Sequence, residues 1–259
     1  MAKDRREVDA DDGEEMNPTE AKRFRGVAAR GNYLGIDRPD VQFAAKEICR
    51  NMARPRGPNW EPIKKLARYL LEYPRLIWEF LDDGGDVADM RIDAYSDSDW
   101  AGCRASRRST SGGLLAVSGG VVKSWSSTQG TIATSSGEAE YYAAVKAAAE
   151  ALGFQSLARD LGWNLPIYVY IDSSAAKSVA SRVGLGKLRH LEVKYLWLQE
   201  ALKARRIYMR KIRGVLNPAD ILTKPQSAAE MSPMLRIVNG ALIRRSAGPC
   251  ESEKWAEAV

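Results

Sequence analysis

The stretch RIDAYSDSDW, residues 91–100, indicates which fold to expect. Polar and apolar residues alternate in its first part, and acids lie near its end. This pattern is typical of a β-strand that ends at a polar edge. Two further strand-like runs follow, GGLLAVSG at 112–119 and VVKSWSS at 121–127, with a hairpin turn expected at Gly119 and Gly120. Three strands in succession predict an antiparallel meander.

Helices and strands alternate after this meander. Ser135 and Glu138 form a capping-box pattern that opens an alanine-rich helix extending to about Leu161. The remaining expected elements are a buried strand at 167–171, helices from about Ser173 and over 188–204, a strand over 205–212, and a helix begun by Asn217 and Pro218. The order βββαβααβα predicts an α/β fold, with one five-stranded mixed sheet flanked by helices.

The chain divides into four regions by composition. Residues 1–16 hold three basic and seven acidic side chains and are expected to be a disordered acidic lead-in. Residues 17–85 should form a helical unit of three helices, and residues 86–226 carry the predicted sheet. Residues 227–259 have only a weak apolar pattern and are treated as a C-terminal tail without an assigned function.

Composition excludes several classes of protein. The 259 residues, of which 45% are hydrophobic, suffice for a packed core. Three distant cysteines and a single histidine support neither a disulfide framework nor a zinc site. The chain has no apolar run of about 18 residues and no apolar signal-peptide core at its start. We therefore expect an intracellular protein, cytoplasmic or nuclear.

Positive charge is concentrated in one segment. The net charge of +6 combines −4 on residues 1–16 with +10 on the remainder, and residues 182–213 hold ten Lys or Arg against two Glu. This segment predicts a surface that contacts nucleic-acid phosphates, although a solvated helix face remains the alternative. The residues expected to bind nucleic acid are Lys187, Arg189, His190, Lys194, Arg205 and Arg206.

Four acids in separate segments are the candidate site: Asp97, Glu138, Asp172 and Asp220. Asp172 follows an apolar strand, where α/β sheets place ligands, and Asp220 lies in the first turn of the last predicted helix. Carboxylates without His or Cys suit Mg²⁺, with Mn²⁺ as a reasonable substitute. Two such ions about 3.5–4 Å apart serve phosphodiester hydrolysis.

Two of these acids have a rival two positions away. Asp97 is preferred over Asp99, which is left unassigned. Glu138 and Glu140 point in nearly opposite directions on a helix, so only one can face a common centre. Glu138 is preferred because it continues the bulkier stripe, whereas alanines follow Glu140; the alternative for Glu138 is a capping role only. That stripe consists of Tyr142, Val145 and Leu152.

Seven segments of this chain resemble the ribonuclease H domain of copia-type retrotransposon polyproteins. The segments are YSDSDWAG, RRSTSGG, KSWSS, ATSSGEAEYYA, VYIDSSAA, LRHLEVKY and NPADILTKP, in this order across residues 95–225. Upstream, GVAARGNYLGIDRPDVQFAAKEICRNMARP and KKLARYLL look like the helical region that follows the polymerase palm in the same polyproteins. The resemblance spans most of residues 17–225.

The resemblance implies a function and a set of ligands. Asp97, Glu138, Asp172 and Asp220 would hold two Mg²⁺ ions, with Asp97 bridging them, for cleavage of the RNA strand of an RNA–DNA hybrid. The implied partner is the polymerase part of such a polyprotein, and virus-like particles are an implied location. The only candidate for a polymerase aspartate pair, DADD at 9–12, lacks a flanking apolar strand. Polymerase activity is therefore not expected from this chain alone.

The sequence leaves two other functional hypotheses open. One is a transposon remnant that has lost catalysis and only binds nucleic acid, which the presence of all four acids disfavours. The other is an integrase-like strand-transfer core, in which the last acid is placed differently. The proton donor to the leaving group is unassigned, because His190 lies in the basic segment rather than beside Asp220.

Overall fold

The computed structural model describes residues 13–80, 90–103, 105–182, 184 and 195–245. Most of the expected lead-in, residues 1–12, lies outside these ranges. Four of the six residues expected to bind nucleic acid also lie outside the described residues: Lys187, Arg189, His190 and Lys194. Arg205 and Arg206 are described.

Three helices form the first structural unit, as expected. They are α1 (Pro18–Leu34), α2 (Pro39–Cys49) and α3 (Trp60–Glu72), with a 3₁₀ turn at Gly57–Asn59 before α3. Asn17 caps α1, since its Oδ1 accepts the backbone N–H of Glu20 at 2.9 Å. The helices enclose a small core around Phe24, Ala28 and Ile48.

The rest of the described chain is a mixed α/β unit. In chain order its elements are β1 (Arg75–Trp78), β2 (Ile92–Asp99), β3 (Thr110–Val117), β4 (Gly120–Thr128), α4 (Ser136–Asp160), β5 (Ile167–Ile171), α5 (Ser174–Ser181), α6 (Trp197–Lys203), β6 (Tyr208–Lys211), α7 (Ala228–Arg236) and β7 (Gly240–Ile243). The main sheet has the order β4-β3-β2-β5-β6. Strands β4, β3 and β2 pair antiparallel, whereas β2, β5 and β6 pair parallel. The predicted five-stranded mixed sheet is thus confirmed.

The β3–β4 hairpin turns one residue earlier than predicted. Val117 pairs with Gly120, so the two-residue loop consists of Ser118 and Gly119. Both loop residues have positive φ, +49° and +77°, as a type I′ turn requires. Gly120 already belongs to the ladder because this turn matches the twist of the two strands.

Helix α4 packs against the centre of the main sheet. The main core combines buried alanines of α4 with apolar side chains of β2, β3 and β5. Small side chains bring the helix axis close to the strands, so residues on this helix face project directly onto the sheet. The strand residues of this core include Ile92, Ala94, Leu115, Ile167, Val169 and Ile171.

The expected C-terminal tail contains a helix and a strand. Strand β7 pairs antiparallel with β1, from Arg75 opposite Ile243 to Trp78 opposite Gly240. Helix α7 packs its buried methionines near this pair and near residues 218–222. Each of the two strands has only four residues, too short to give a periodic signal in the sequence. Within the described part of the chain, no helix has the length and apolar character needed to cross a membrane.

Candidate metal centre

Two strand ends bring the first two acids together. Strands β2 and β5 run parallel, and Tyr95 is paired with Tyr170. Asp97 and Asp172 each follow two residues later, so both carboxylates lie at the same edge of the sheet. Asp97 is 5% exposed, whereas Asp172 is half-buried and accessible from solvent. The positions expected from the sequence therefore place these two acids side by side.

Glu140 of α4 is the third acid of the cluster. One carboxylate oxygen from each of Asp97, Glu140 and Asp172 lies within 4.8 Å of the others. The backbone N–H of Ser98 donates to Oε1 of Glu140 at 3.3 Å. The other oxygen, Oε2, is buried and has no hydrogen-bond partner among the described residues. A buried carboxylate oxygen without a donor is the position that a cation would fill.

The choice of Glu138 for this centre was wrong in its geometry. Its carboxylate accepts hydrogen bonds from the backbone N–H and the hydroxyl of Thr134, at 2.8 and 2.7 Å, and from the hydroxyl of Tyr142 at 2.5 Å. Ser135 caps α4 as predicted, because its Oγ accepts the N–H of Glu138 at 3.2 Å. Glu138 therefore stabilises the start of the helix and is not among the three described acids whose carboxylate oxygens come together.

The reason for this error is the face that α4 turns to the sheet. Four alanines follow Glu140 at helical spacing, and all four are fully buried: Ala144, Ala147, Ala148 and Ala151. The bulkier stripe that follows Glu138 also contributes to the main core, but its Tyr142 binds the Glu138 carboxylate itself. An alanine stripe marks the face of closest approach, and this signal in the sequence identifies Glu140.

Asp220 is delivered by a 3₁₀ helix, Pro218–Leu222, where the sequence predicts the start of an α-helix. Asn217 fixes this segment to the sheet, because its side-chain amide donates to the carbonyl of Ser96 at 2.9 Å. Its Oδ1 also accepts the N–H of Ala219 at 3.2 Å. Asn217 is fully buried, so both bonds are shielded from water.

Gly112 explains how this segment comes so near to Asp97. Gly112 lies opposite Asp97 in the β2–β3 ladder. A Cβ atom at this glycine would lie 2.6 Å from a methyl carbon of Thr223 and 2.8 Å from the carbonyl oxygen of Ala219. Only a residue without a side chain lets the loop lie on the sheet here. As a result, the hydroxyl of Thr223 donates to Oδ2 of Asp97.

Each carboxylate in the cluster makes ionisation of the others less favourable. Burial, with the charges of Asp220 and Asp172, raises the pKa of Asp97 to about 7, although the hydrogen bond from Thr223 opposes the rise. Burial and the charges of Asp97 and Asp172 raise the pKa of Glu140 to about 9. Burial and the charge of Asp220 also raise the pKa of Asp172. A bound divalent cation reverses this effect, because it favours the ionised form of every ligand.

Lys224 and Gln226 are further residues of the centre that sequence reasoning missed. The ammonium of Lys224 lies 2.6 Å from Oδ1 of Asp220, and the amide of Gln226 donates to Oδ2 at 2.7 Å. Partial burial lowers the pKa of Lys224, but the bond and charge of Asp220 outweigh it, and the net pKa is raised. The four-residue spacing of Asp220 and Lys224 in NPADILTK was the available signal.

Asp99, the rival of Asp97, has a structural position. Its Oδ1 accepts the backbone N–H of Thr110, at the start of the neighbouring strand. Its carboxylate also lies against Gly102, where a Cβ atom would come within 1.9 Å of it. Asp99 thus holds the loop between β2 and β3 closed, and it does not belong to the acidic cluster.

The sequence is similar to several known proteins. The retrovirus-related Pol polyprotein from transposon TNT 1-94 of Nicotiana tabacum is 32% identical over 189 residues, which are 72% of this chain and 14% of that protein. The Pol polyprotein from transposon RE2 of Arabidopsis thaliana is 29% identical over 90% of this chain and 16% of its own length. The secreted RxLR effector protein 161 of Plasmopara viticola is 38% identical over 49% of this chain and 86% of that protein.

The other comparisons add little. No protein-family model matches the chain. Among solved structures, LC11-RNase H1 isolated from compost is 16% identical, with a TM-score of 0.32, and the match covers 51% of this chain and 92% of that one.

The strand order, and the acids at the shared edge of β2 and β5, define a ribonuclease H-like domain. The sequence relatives point to its origin: the chain is homologous to one segment of the retrovirus-related Pol polyproteins of plant transposons. It spans about one seventh of the length of these relatives.

Proposed function

We propose that this domain is a Mg²⁺-dependent endonuclease that hydrolyses the RNA strand of RNA–DNA hybrids. The observation that carries the proposal is the convergence of Asp97, Glu140 and Asp172 from three different elements onto one point. Asp220 completes the set from the last loop, since its charge acts on the other acids. Glu140 takes the place that the sequence pattern assigned to Glu138.

The donor set fits two Mg²⁺ ions, with Mn²⁺ as a substitute. Every ligand in the cluster is a carboxylate oxygen, which hard cations prefer, and neither His nor Cys belongs to it. The buried, unpartnered Oε2 of Glu140 points to a missing cation rather than to a purely structural role. When bound, the ions would supply Lewis-acid chemistry for phosphodiester hydrolysis.

Neighbouring residues would hold the ligands in place. The Thr223 hydroxyl orients Asp97, and the Ser98 N–H orients Glu140. Such fixed hydrogen bonds tune and position metal ligands in other proteins. Lys224 would keep Asp220 ionised and offer a positive charge near a phosphate of the substrate.

The substrate and partners follow from the family and the charge. The resemblance to the ribonuclease H domain of copia-type retrotransposon polyproteins implies a hybrid substrate, so we propose the RNA–DNA hybrid as substrate and the polymerase part of such a polyprotein as partner. The net charge of +6 favours binding of a polyanion. We propose an intracellular location for this activity.

The test is a cleavage assay with purified full-length chain, a labelled RNA–DNA hybrid and Mg²⁺. Asp97→Asn removes a ligand charge at little steric cost, so we expect cleavage to fall at least about 100-fold, with hybrid binding retained in EDTA. The matched control is Asp160→Asn, which neutralises an exposed acid at the end of α4 and should leave cleavage unchanged. Full activity of Asp97→Asn would refute the proposal. Hybrid binding without cleavage by the unmodified chain would instead support a non-catalytic remnant.

A further inference from the structure

A basic pocket lies at the end of the sheet opposite the acids. It has a volume of about 310 Å³ and is formed by the end of α4, the turn before β5 and the turn before β6. Its polar lining consists of Arg159, Arg205, Arg206, Gln155, Asn164 and Tyr208. Among the residues that the structure describes, no carboxylate lines the pocket, so three guanidinium groups share one cavity.

None of these three arginines has an acidic partner in the described part of the chain. Arg159 donates from Nε to Oδ1 of Asn164 at 3.3 Å, a bond that orients it without neutralising it. Arg205 and Arg206 are exposed and form no ion pair with any described carboxylate. Guanidinium groups placed in this way match the geometry of phosphate oxygens.

Arg205 occupies a backbone position that normally favours glycine. Helix α6 ends in a Schellman motif, in which the N–H of Arg206 bonds to Ala201 O and the N–H of Arg205 to Leu202 O, both at 3.0 Å. Arg205 has φ +55°. Helix α4 ends in the same way, but there Gly162 holds the corresponding position, with φ +88°. An arginine that accepts a strained backbone suggests that its side chain is kept for a function.

Tyrosine side chains continue this surface along the sheet. Tyr208 is 39% exposed on the edge strand β6, so no further strand covers the outer side of its ring. Its inner side stacks on Tyr168, with ring centroids 5.3 Å apart and an interplanar angle of 25°. The guanidinium groups of Arg91 and Arg210 lie 5.6 and 5.5 Å from the centre of the Tyr168 ring. Stacked aromatic rings between arginines offer a flat surface on which a planar aromatic or cationic group can stack.

We propose that this pocket and the exposed ring of Tyr208 bind single-stranded nucleic acid. Phosphates would lie on Arg205 and Arg206, and an unpaired base would stack on Tyr208. Proteins that hold single strands combine a positive groove with aromatic stacking in this way. A duplex is a poorer fit, because its bases already stack on each other and offer no free face to Tyr208.

The site is separate from the acidic cluster and goes beyond the proposed nuclease function. The pocket lies at Pro166, and Asp172 follows six residues later on the same strand. At about 3.3 Å per residue, the two sites are roughly 20 Å apart. Binding here needs no metal ion, so it is testable in EDTA whether or not the acids cleave a hybrid.

The experiment measures fluorescence anisotropy of a labelled 15-nucleotide oligo(U) with the full-length chain in EDTA. Arg205→Gly removes the guanidinium and relieves the backbone, so affinity should fall roughly 5- to 10-fold while the melting temperature stays equal or rises. Tyr208→Leu should weaken binding by a similar factor, because the stacking face is lost. The control Arg30→Gln removes an equal charge from the exposed face of α1 and should change the affinity less than about 2-fold.

Three outcomes would overturn the proposal. The first is an unchanged affinity of both Arg205→Gly and Tyr208→Leu. The second is an equal loss in Arg30→Gln, which would show that only net charge matters. The third is an equal or greater loss of affinity for a 15-base-pair RNA–DNA hybrid, which would assign the pocket to duplex binding.

Discussion

The two ends of strand β5 have opposite chemistry. At its carboxyl end, Asp172 joins buried or half-buried acids whose mutual repulsion raises their pKa values. At its amino end, the neighbouring pocket presents arginines that form no ion pair with any described carboxylate. Both ends hold like charges close together, so each is incomplete without a ligand of the opposite sign.

The two ends differ in how their charges are positioned. The acids come from β2, α4, β5 and the loop after β6, and buried hydrogen bonds from Asn217 and Thr223 hold them in place. The arginines lie at exposed helix ends, held mainly by local turns of the backbone. A rigid, desolvated cluster suits metal binding and chemistry, whereas an exposed one suits reversible contact with a flexible polyanion.

The largest expected effect distinguishes two glutamates at the acidic end. Glu140→Gln should lower hybrid cleavage at least about 100-fold, because it removes a carboxylate from the ligand set. Glu138→Gln should leave the cleavage rate of the folded protein within a few-fold. It should cost about 1–3 kcal/mol of unfolding free energy, because Thr134 and Tyr142 lose a charged acceptor.

Cleavage and urea denaturation of both variants measure this contrast. Each variant is the control for the other, because both changes are isosteric and lie on the same helix turn. Loss of activity in folded Glu138→Gln, with Glu140→Gln active, would reverse the assignment of the metal ligand.

Much of this contrast is accessible from the sequence. The order of strands and helices, the capping of α1 and α4, and the positions of Asp97 and Asp172 follow from local patterns and strand ends. The choice between Glu138 and Glu140 could not be made from local patterns, because it depends on which face of the helix packs on the sheet. The bulky stripe suggested one face, but the close contact is made by alanines.

Other features depend on tertiary contacts that no local pattern announces. Strands β1 and β7 are short and pair across more than 160 residues of sequence. The basic pocket arises where the ends of two helices and a strand meet. The proximity of Arg159 and Arg205 therefore cannot be inferred from their positions in the sequence. Gly112 looks like an ordinary strand glycine until the loop that packs on it is known.

The next prediction concerns the pH dependence of stability without metal. Burial raises the pKa of Asp97 to about 7 and of Glu140 to about 9, above the values in an unfolded chain, about 4. Between pH 4 and 9 the folded state therefore binds more protons than the unfolded state, so the free energy of unfolding should fall as pH rises. Mg²⁺ should stabilise the protein increasingly toward pH 9, because its ligands must be ionised.

Thermal unfolding from pH 5 to 9, in EDTA and in Mg²⁺, checks this prediction. Glu140→Gln should flatten most of the slope in EDTA, whereas Asp160→Asn should not. A free energy of unfolding that rises between pH 6 and 9 in EDTA would contradict the repulsion described for the acidic end.

The smallest expected effect compares the two helix ends at the basic pocket. Gly162 has positive φ, and a Cβ atom there would meet nothing within 4 Å, so any change caused by Gly162→Ala reflects the backbone alone. We expect this variant to lose about 1 kcal/mol of unfolding free energy, and Arg205→Gly to gain up to about 1 kcal/mol. Oligo(U) affinity should be unchanged in Gly162→Ala and weakened in Arg205→Gly. Urea denaturation together with anisotropy separates the two quantities. If both variants were destabilised, Arg205 would be a packing residue, and its strained backbone would no longer argue for binding.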